Sequence, residues 1–289
     1  WGGKPFRYVS DTDRDLMTDE KSTIWAKKQL EKLSKQDKVK PFFMAIGLHR
    51  PHTPLVVPQK YFDMFPLKII QTTHLKEEDY SDTYLENNNL KKGGMSRGRK
   101  AYVGLVEGYE SKELALKKYI QAYLASVAFA DDRVGELLEA LENSKFANNT
   151  IIILFSDHGY NIGEKKYLWK YNLWEETTRV PLIIKAPKYN ANAGKKVTHP
   201  VSLLDIYPTI LSLTGNNVSS LKLNGIQQLD GFSLEPFLKN PKTKLWDGPD
   251  AALTVIASWR SQLPERQHLS VRGKRYRSVS YTHLTLPTT

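Results

Sequence analysis

Three short runs of almost pure hydrocarbon constrain this chain more than anything else in it. Pro41 to Leu48 reads PFFMAIGL, Thr150 to Phe155 reads TIIILF, and Val180 to Ala186 reads VPLIIKA. Each has the length of a strand rather than a helix. Apart from Thr150 and Lys185 near their ends, they lack polar positions to turn toward water, which predicts strands covered on both faces. The segments between them carry a helical period instead. Asp19 to Leu33 sets Ala26, Leu30 and Leu33 on one face, with Asp19 as the expected N-cap. Leu116 to Leu141 gives the clearest pattern. Leu116, Tyr119, Ile120, Tyr123, Leu124, Val127, Val134, Leu137, Leu138 and Leu141 mark one continuous face. Ser202 to Leu213 is predicted helical, with Ser202 and Asp205 as a capping box and Pro208 expected to bend or loosen it. Helices alternating with buried strands predict an α/β protein with a largely parallel central sheet flanked by helices. Residues 66 to 112 are polar and irregular. Within them Asn87 to Lys100 predicts a long loop, whose Lys/Arg cluster either binds an anion or is simply solvated.

Composition narrows the chemistry. The 289 residues carry a formal charge of +11 and no cysteine. That excludes disulfides, thiolate zinc sites, iron–sulfur clusters and a cysteine nucleophile within this chain. No apolar run reaches the roughly 18 residues of a membrane-spanning helix. Trp1-Gly2-Gly3-Lys4 has no apolar core behind its charge, so it is not a signal peptide. With no initiator methionine, this opening is read as a cut from something longer. Excess positive charge fits a nucleic acid, an anionic polymer or a small anion. The basic residues form no helix stripe and no recognition motif, so nucleic acid is not the expected partner.

The polar residues that interrupt this pattern sit at the ends of the apolar runs. In open α/β sheets ligands bind beyond the carboxyl ends of the strands. His49 follows PFFMAIGL, and Asp157-His158-Gly159 follows TIIILF. A carboxylate beside an imidazole at such an end suits a hard cation such as calcium or magnesium. The turn at Gly159 allows both groups to aim at one point. On the pattern alone a second reading stays open, in which Asp157 caps the next turn and His158 is a satisfied core histidine. Lys170, flanked by aromatics in Tyr167-Leu168-Trp169-Lys170-Tyr171, is a candidate anion clamp. It also reads as a snorkelling surface lysine. Arg179 is expected to pair with Glu175 or Glu176 as a structural group.

These residues carry a family resemblance. PFFMAIGLHRPHTP, SDHGYNIGEKKYLWKYNLWEETTRVPLIIKAP, PVSLLDIYPTILSLTG and the Leu229-Asp230-Gly231-Phe232-Ser233-Leu234 segment together resemble type I sulfatases of the alkaline-phosphatase superfamily, and in particular their iduronate-2-sulfatase-like branch. The resemblance covers roughly residues 4 to 278, with its motifs in order. It implies that Asp157 and His158 form half of a calcium site. It further implies that His49 touches the sulfate group and that Lys170 binds the sulfate oxygens. The physics agrees with those roles, because a sulfate ester is anionic and its cleavage adds charge to the leaving alkoxide. The implied activity is hydrolysis of a sulfate ester on a sulfated carbohydrate, and the implied cofactors are calcium and a formylglycine.

The resemblance also shows what this chain does not hold. In that family the formylglycine arises from a Cys/Ser-x-Pro-Ser-Arg motif, which does not occur here. Asp11-Thr12-Asp13 is not the family's first-strand aspartate pair, since no apolar strand precedes it. The nucleophile is therefore expected in a missing N-terminal part, and the chain alone is expected to be inactive. The expected organisation is a partial catalytic domain over 1–235, the beginning of a small C-terminal α+β subdomain over 236–278, and a non-native, adapter-like tail over 279–289. The resemblance implies a periplasmic, secreted or lysosomal-type location. Two alternatives stay open: a phosphodiesterase or phosphonate hydrolase of the same superfamily, and a non-catalytic relic that binds sulfated glycan.

Overall fold

The computed structural model describes residues 6–37, 40–72, 75–76, 78–81, 83, 96–216, 229–256 and 267–280. Its contacts divide the chain into two units. The first holds residues 1–149 and 161–169, and the second holds 150–160 and 170–289.

The first unit is helical. Helix α1 spans Thr18–Ser34, α2 Gln59–Asp63, α3 Arg97–Glu107 and α4 Lys112–Glu142. The start of α3 corrects the expected loop, because Arg97 to Lys100 already form its first turn. Asn87 to Lys92 lie outside the described residues. Ser111 begins α4 by accepting the Leu114 N–H at 3.2 Å, which satisfies one of the donors a helix start leaves free. The predicted face of α4 forms largely as expected. Leu116, Ile120 and Leu141 are buried, together with the smaller Ala115, Ala125 and Ser126. Val127 and Leu138 stay partly exposed. Met17, Val57, Tyr61, Ala125 and Phe129 make one core cluster. Burying a side chain the size of Phe129 stabilises by about 1.5–3 kcal/mol. A second cluster joins Tyr102, Leu116 and Leu168. Leu168 arrives on a two-residue ladder between β2, Asn161–Ile162, and β3, Leu168–Trp169.

Pro41 to Leu48 departs from the prediction. The segment is extended, and its exposure alternates residue by residue, with Phe43 79% exposed. It pairs with no strand among the described residues. An apolar sequence favours extended backbone, but a ladder also requires a neighbour to accept its hydrogen bonds.

The second unit contains β1, Ile152–Phe155, and β4, Leu182–Lys185. Helix α5, Glu175–Thr178, lies between them in sequence. Two further helices are α6, Ile206–Leu213, and α7, Glu235–Lys239. Three strands follow: β5 Ala251–Ile256, β6 His268–Gly273 and β7 Arg277–Ser280. The α/β class is as expected, but every ladder among the described residues is antiparallel. β1 pairs with β4 from Ile152↔Lys185 to Phe155↔Leu182. A parallel pair is joined by a crossover, usually a helix lying on the sheet, whereas the connection here is made of the β2–β3 ladder, a 3-10 turn and the four-residue α5. Nor are these strands covered on both faces, since Phe155 and Ile183 are exposed.

Ser202 and Asp205 form the predicted capping box. A 3-10 turn over Leu203–Asp205 leads into α6, and Pro208 sits in the first turn of that helix. The missing proline N–H thus falls at the junction of the two helix types rather than kinking an α-helix interior. The Asp205 carboxylate is buried and also accepts the Phe232 N–H at 2.8 Å, which anchors the Leu229–Leu234 segment. β7 continues through Val279 and Ser280, opposite Ser270 and Leu269. Residues 281–289 lie outside the described residues.

Candidate active site

In the second unit the end of β1 turns sharply through Ser156-Asp157-His158-Gly159. The Ser156 hydroxyl donates to the His158 carbonyl at 2.8 Å. The Gly159 and Tyr160 N–H groups donate to the Thr177 and Glu176 carbonyls of α5, each at 2.8 Å. This seats the turn against the α5 backbone, and only glycine permits so close an approach. A Cβ at position 159 would stand 2.0 Å from the Glu176 carbonyl oxygen. α5 is itself held locally: the buried Thr177 hydroxyl lies 2.6 Å from the Asn172 side-chain oxygen, which also accepts the Trp174 N–H at 3.0 Å.

The turn brings three of the predicted residues together. His158 Nδ1 lies 2.8 Å from the Gly159 carbonyl. A carbonyl only accepts, so Nδ1 carries the hydrogen and Nε2 the lone pair. The Lys170 ammonium donates to that Nε2 at 2.7 Å. Asp157 Oδ2 lies 3.4 Å from the same Nε2. Asp157 is far from a buried cap: its side chain is 82% exposed, and beyond the adjacent His158 N–H its oxygens face solvent. His158 is half-buried, not a core histidine. A carboxylate, an imidazole lone pair and an ammonium therefore converge where an anion and a cation can both be held.

The backbone around Lys170 carries conformations that have no marker among the residue types there. Trp169 and Tyr171, on either side of it, have φ of 75° and 69°, and Lys165 and Lys166 each have 52°. Left-handed backbone at a non-glycine residue costs about 1–3 kcal/mol and gathers at functional sites. Arg179 is largely exposed, with its guanidinium 3.9 Å from Glu175, consistent with a structural pairing.

His49 belongs to the first unit and has its own setting. The buried Asp19 carboxylate accepts the backbone N–H of His49 with one oxygen and that of Arg50 with the other, each at 2.8 Å. This corrects the reading of Asp19 as an N-cap. Met17 occupies that position, and Glu20 satisfies the Met17 N–H at 2.7 Å. The buried Arg50 then straps the loop, donating to the Val56 carbonyl at 3.1 Å and the His52 carbonyl at 3.2 Å. The His49 and His52 rings stand 5.0 Å apart. Partial burial of the ring, then the Arg50 cation and His52, hold the His49 imidazole below its ordinary pKa. It is therefore neutral at pH 7. Replacing Asp19 by alanine is expected to leave two buried N–H groups unsatisfied and to cost about 2–4 kcal/mol. Denaturant unfolding checks this; a loss under about 0.5 kcal/mol would show that the carboxylate does not hold the loop.

Calcium can be tested against this donor set. His158 presents Nε2 in the tautomer that metal-ligating histidines use, with the other ring nitrogen bound to a carbonyl. Asp157 adds an exposed carboxylate beside it. With the Nε2 lone pair released from Lys170, the pair fits part of a hard-cation shell. Calcium takes about 6–8 oxygen ligands, and no group of three or more His, Cys, Asp or Glu among the described residues completes one. No described helix is long and apolar enough to cross a membrane.

Residues 5–216 match the sulfatase family. Residues 163–285 match the family described as N-sulphoglucosamine sulphohydrolase, C-terminal. A sulfatase of Formosa agariphila is 43% identical over 215 residues, covering 74% of this chain and 38% of that protein. Iduronate 2-sulfatase of Mus musculus is 26% identical over 323 residues, covering 95% of this chain and 56% of that protein. The chain thus spans about half the length, or less, of these curated relatives. The fold is shared with the phosphonate monoester hydrolase of Agrobacterium radiobacter, with a TM-score of 0.66 at 22% identity, covering 97% of this chain and 56% of that one.

Proposed function

We propose, since this chain belongs to the sulfatase family, that it serves a sulfuric ester hydrolase acting on a sulfated carbohydrate. The observation that carries this reading is the meeting of Lys170 with the Asp157–His158 turn at 2.7 Å. An ammonium there supplies a compact positive charge for the non-bridging oxygens of a sulfate ester, where negative charge is concentrated. His49, neutral at pH 7 and hydrogen-bonded through its ring to the Thr53 backbone, would turn its other ring nitrogen toward the sulfate group or the leaving oxygen. Asp157 and His158 would hold calcium together with ligands from outside the described residues. Calcium bound there would polarise the sulfate oxygens. The formylglycine of this family has no precursor motif in this chain and is assigned to sequence beyond it. The carbohydrate substrate follows from the iduronate 2-sulfatase relative, whose name specifies a sulfated sugar acid.

The test uses the full-length protein, with 4-nitrocatechol sulfate and a phosphate diester as alternative substrates. Sulfate release at least tenfold faster than phosphodiester cleavage is expected, and the reverse order would assign the site to phosphoryl or phosphonyl hydrolysis instead. Calcium at about 100 times its Kd is expected to stabilise the fold by about 2.7 kcal/mol. Asp157→Ala should abolish that thermal shift, and a shift of full size in the variant would remove Asp157 from the metal site.

A further inference from the structure

We propose that the β6–β7 hairpin is a docking surface for an anionic polysaccharide, gripping sulfate or carboxylate groups other than the one cleaved. This rests on the sulfated-carbohydrate reading above. The first observation is a broken local rule. In the β6–β7 ladder Arg272 stands directly opposite Arg277. Like charges at directly opposed positions destabilise a sheet. The Glu175 carboxylate of α5 lies against both of them: its Oε2 is 3.1 Å from Arg272 Nε and 3.5 Å from Arg277 Nη1. Its other oxygen faces Arg179 at 3.9 Å. Glu175 thus gathers three guanidinium groups around it.

The turn between the strands adds further cations. Residues 272–277 read Arg-Gly-Lys-Arg-Tyr-Arg, with four cations and no acid. Lys274 and Arg275 are exposed. Tyr276 is 77% exposed, and the Arg275 guanidinium lies 5.6 Å from the centre of its ring. Cations on an edge strand can serve only to prevent strand-to-strand aggregation. That purpose explains neither arginines turned onto a shared carboxylate nor a bare aromatic ring at the tip. A guanidinium fork matches the paired oxygens of a sulfate or carboxylate, and an aromatic face offers apolar area to the C–H face of a sugar ring.

The hairpin is fastened to the element that carries the candidate active site. Arg277 donates to the Thr178 hydroxyl at 3.0 Å and to the Ser270 hydroxyl at 2.8 Å. Thr178 and Glu175 both belong to α5, the helix whose backbone receives the Gly159 turn. The hairpin and the Asp157–His158 turn thus share α5 as their support. That arrangement suits a chain-like substrate carrying repeated negative charges.

The experiment compares the full-length protein with the double variant Lys274→Ser/Arg275→Ser, which leaves the Glu175 cluster intact. Heparin affinity, its dependence on salt, and turnover of 4-nitrocatechol sulfate are measured. Loss of two exposed ion pairs is expected to weaken heparin binding about tenfold. It should also lower the slope of log affinity against log salt by about 2, while aryl sulfate turnover stays within twofold. Unchanged heparin affinity and slope would overturn the proposal. So would a parallel loss of aryl sulfate turnover, which would make the hairpin a part of the fold or of the chemistry. Competition by single-stranded DNA as effective as that by heparin of equal charge would overturn the assignment to polysaccharide. Should the full-length protein cleave no sulfate ester, the proposed function fails, and the heparin measurements still decide this proposal.

Discussion

In the full-length protein, exchanging Lys170 for alanine is expected to slow the proposed sulfate-ester hydrolysis about 10²–10³-fold, the range seen when one preorganised charge-stabilising donor is removed. The loss should appear in kcat and kcat/KM together if the ammonium acts mainly on charge that grows toward the transition state. The ammonium also donates to His158 Nε2 at 2.7 Å. Alanine there therefore removes a positive charge and frees the imidazole at once. Lys170→Arg separates the two effects. A guanidinium keeps the charge but spreads it over a planar fork that does not reproduce a point contact to Nε2. Partial activity in the arginine variant, with the alanine variant near background, would match this picture. Full activity in the alanine variant, measured as released sulfate, would remove Lys170 from the site.

The second large effect is structural. Gly159→Ala places a methyl carbon 2.0 Å from the Glu176 carbonyl oxygen and 3.1 Å from that of Arg179. Both neighbours are backbone, so no side-chain rotation relieves the clash. The turn must move away from α5 and give up its two 2.8 Å hydrogen bonds. Overpacking of this kind costs about 3 kcal/mol. For a chain of this size that is a fall of roughly 6–12 °C in Tm. Calorimetry of the purified variant checks it, and a Tm within about 2 °C of the parent would show that the turn yields more easily than its contacts imply. Because Asp157 and His158 precede this glycine, activity should fall further than stability does.

The two predictions rest on features of unequal legibility. The long helices were readable because a buried face repeats in the sequence with the period of the helix. Leu116, Ile120 and Leu141 face inward for that reason. The apolar runs announced extended backbone but not their partners. Pairing direction depends on what the connection between two strands can span, and nothing in TIIILF or VPLIIKA encodes that. The antiparallel match of Ile153 with Ile184 therefore lay outside what composition could tell. Asp157, His158 and Lys170 were readable as polar residues in places that apolar neighbours made conspicuous. Asp19 was misread for a physical reason: an acid near a helix start looks the same whether it accepts an N–H of its own helix or one from residues 49 and 50. The left-handed residues around Lys170 gave no sign at all, because glycine is the usual marker of that conformation and none of the four is glycine.

The unpaired extended segment of the first unit has a practical bearing on the molecule's life in solution. Pro41 to Leu48 presents eight uncharged residues whose exposure alternates along the chain, with Phe43 standing out into water. Such a stretch is a template for intermolecular strand addition. Its nearest gatekeepers are Lys40, exposed on one side, and the backbone rigidity of Pro41. Arg50 on the other side is buried, its charge committed to the His49 loop, and so repels no incoming chain. The same residue that orders one loop thus leaves an adjoining apolar stretch without a guarding charge on that side.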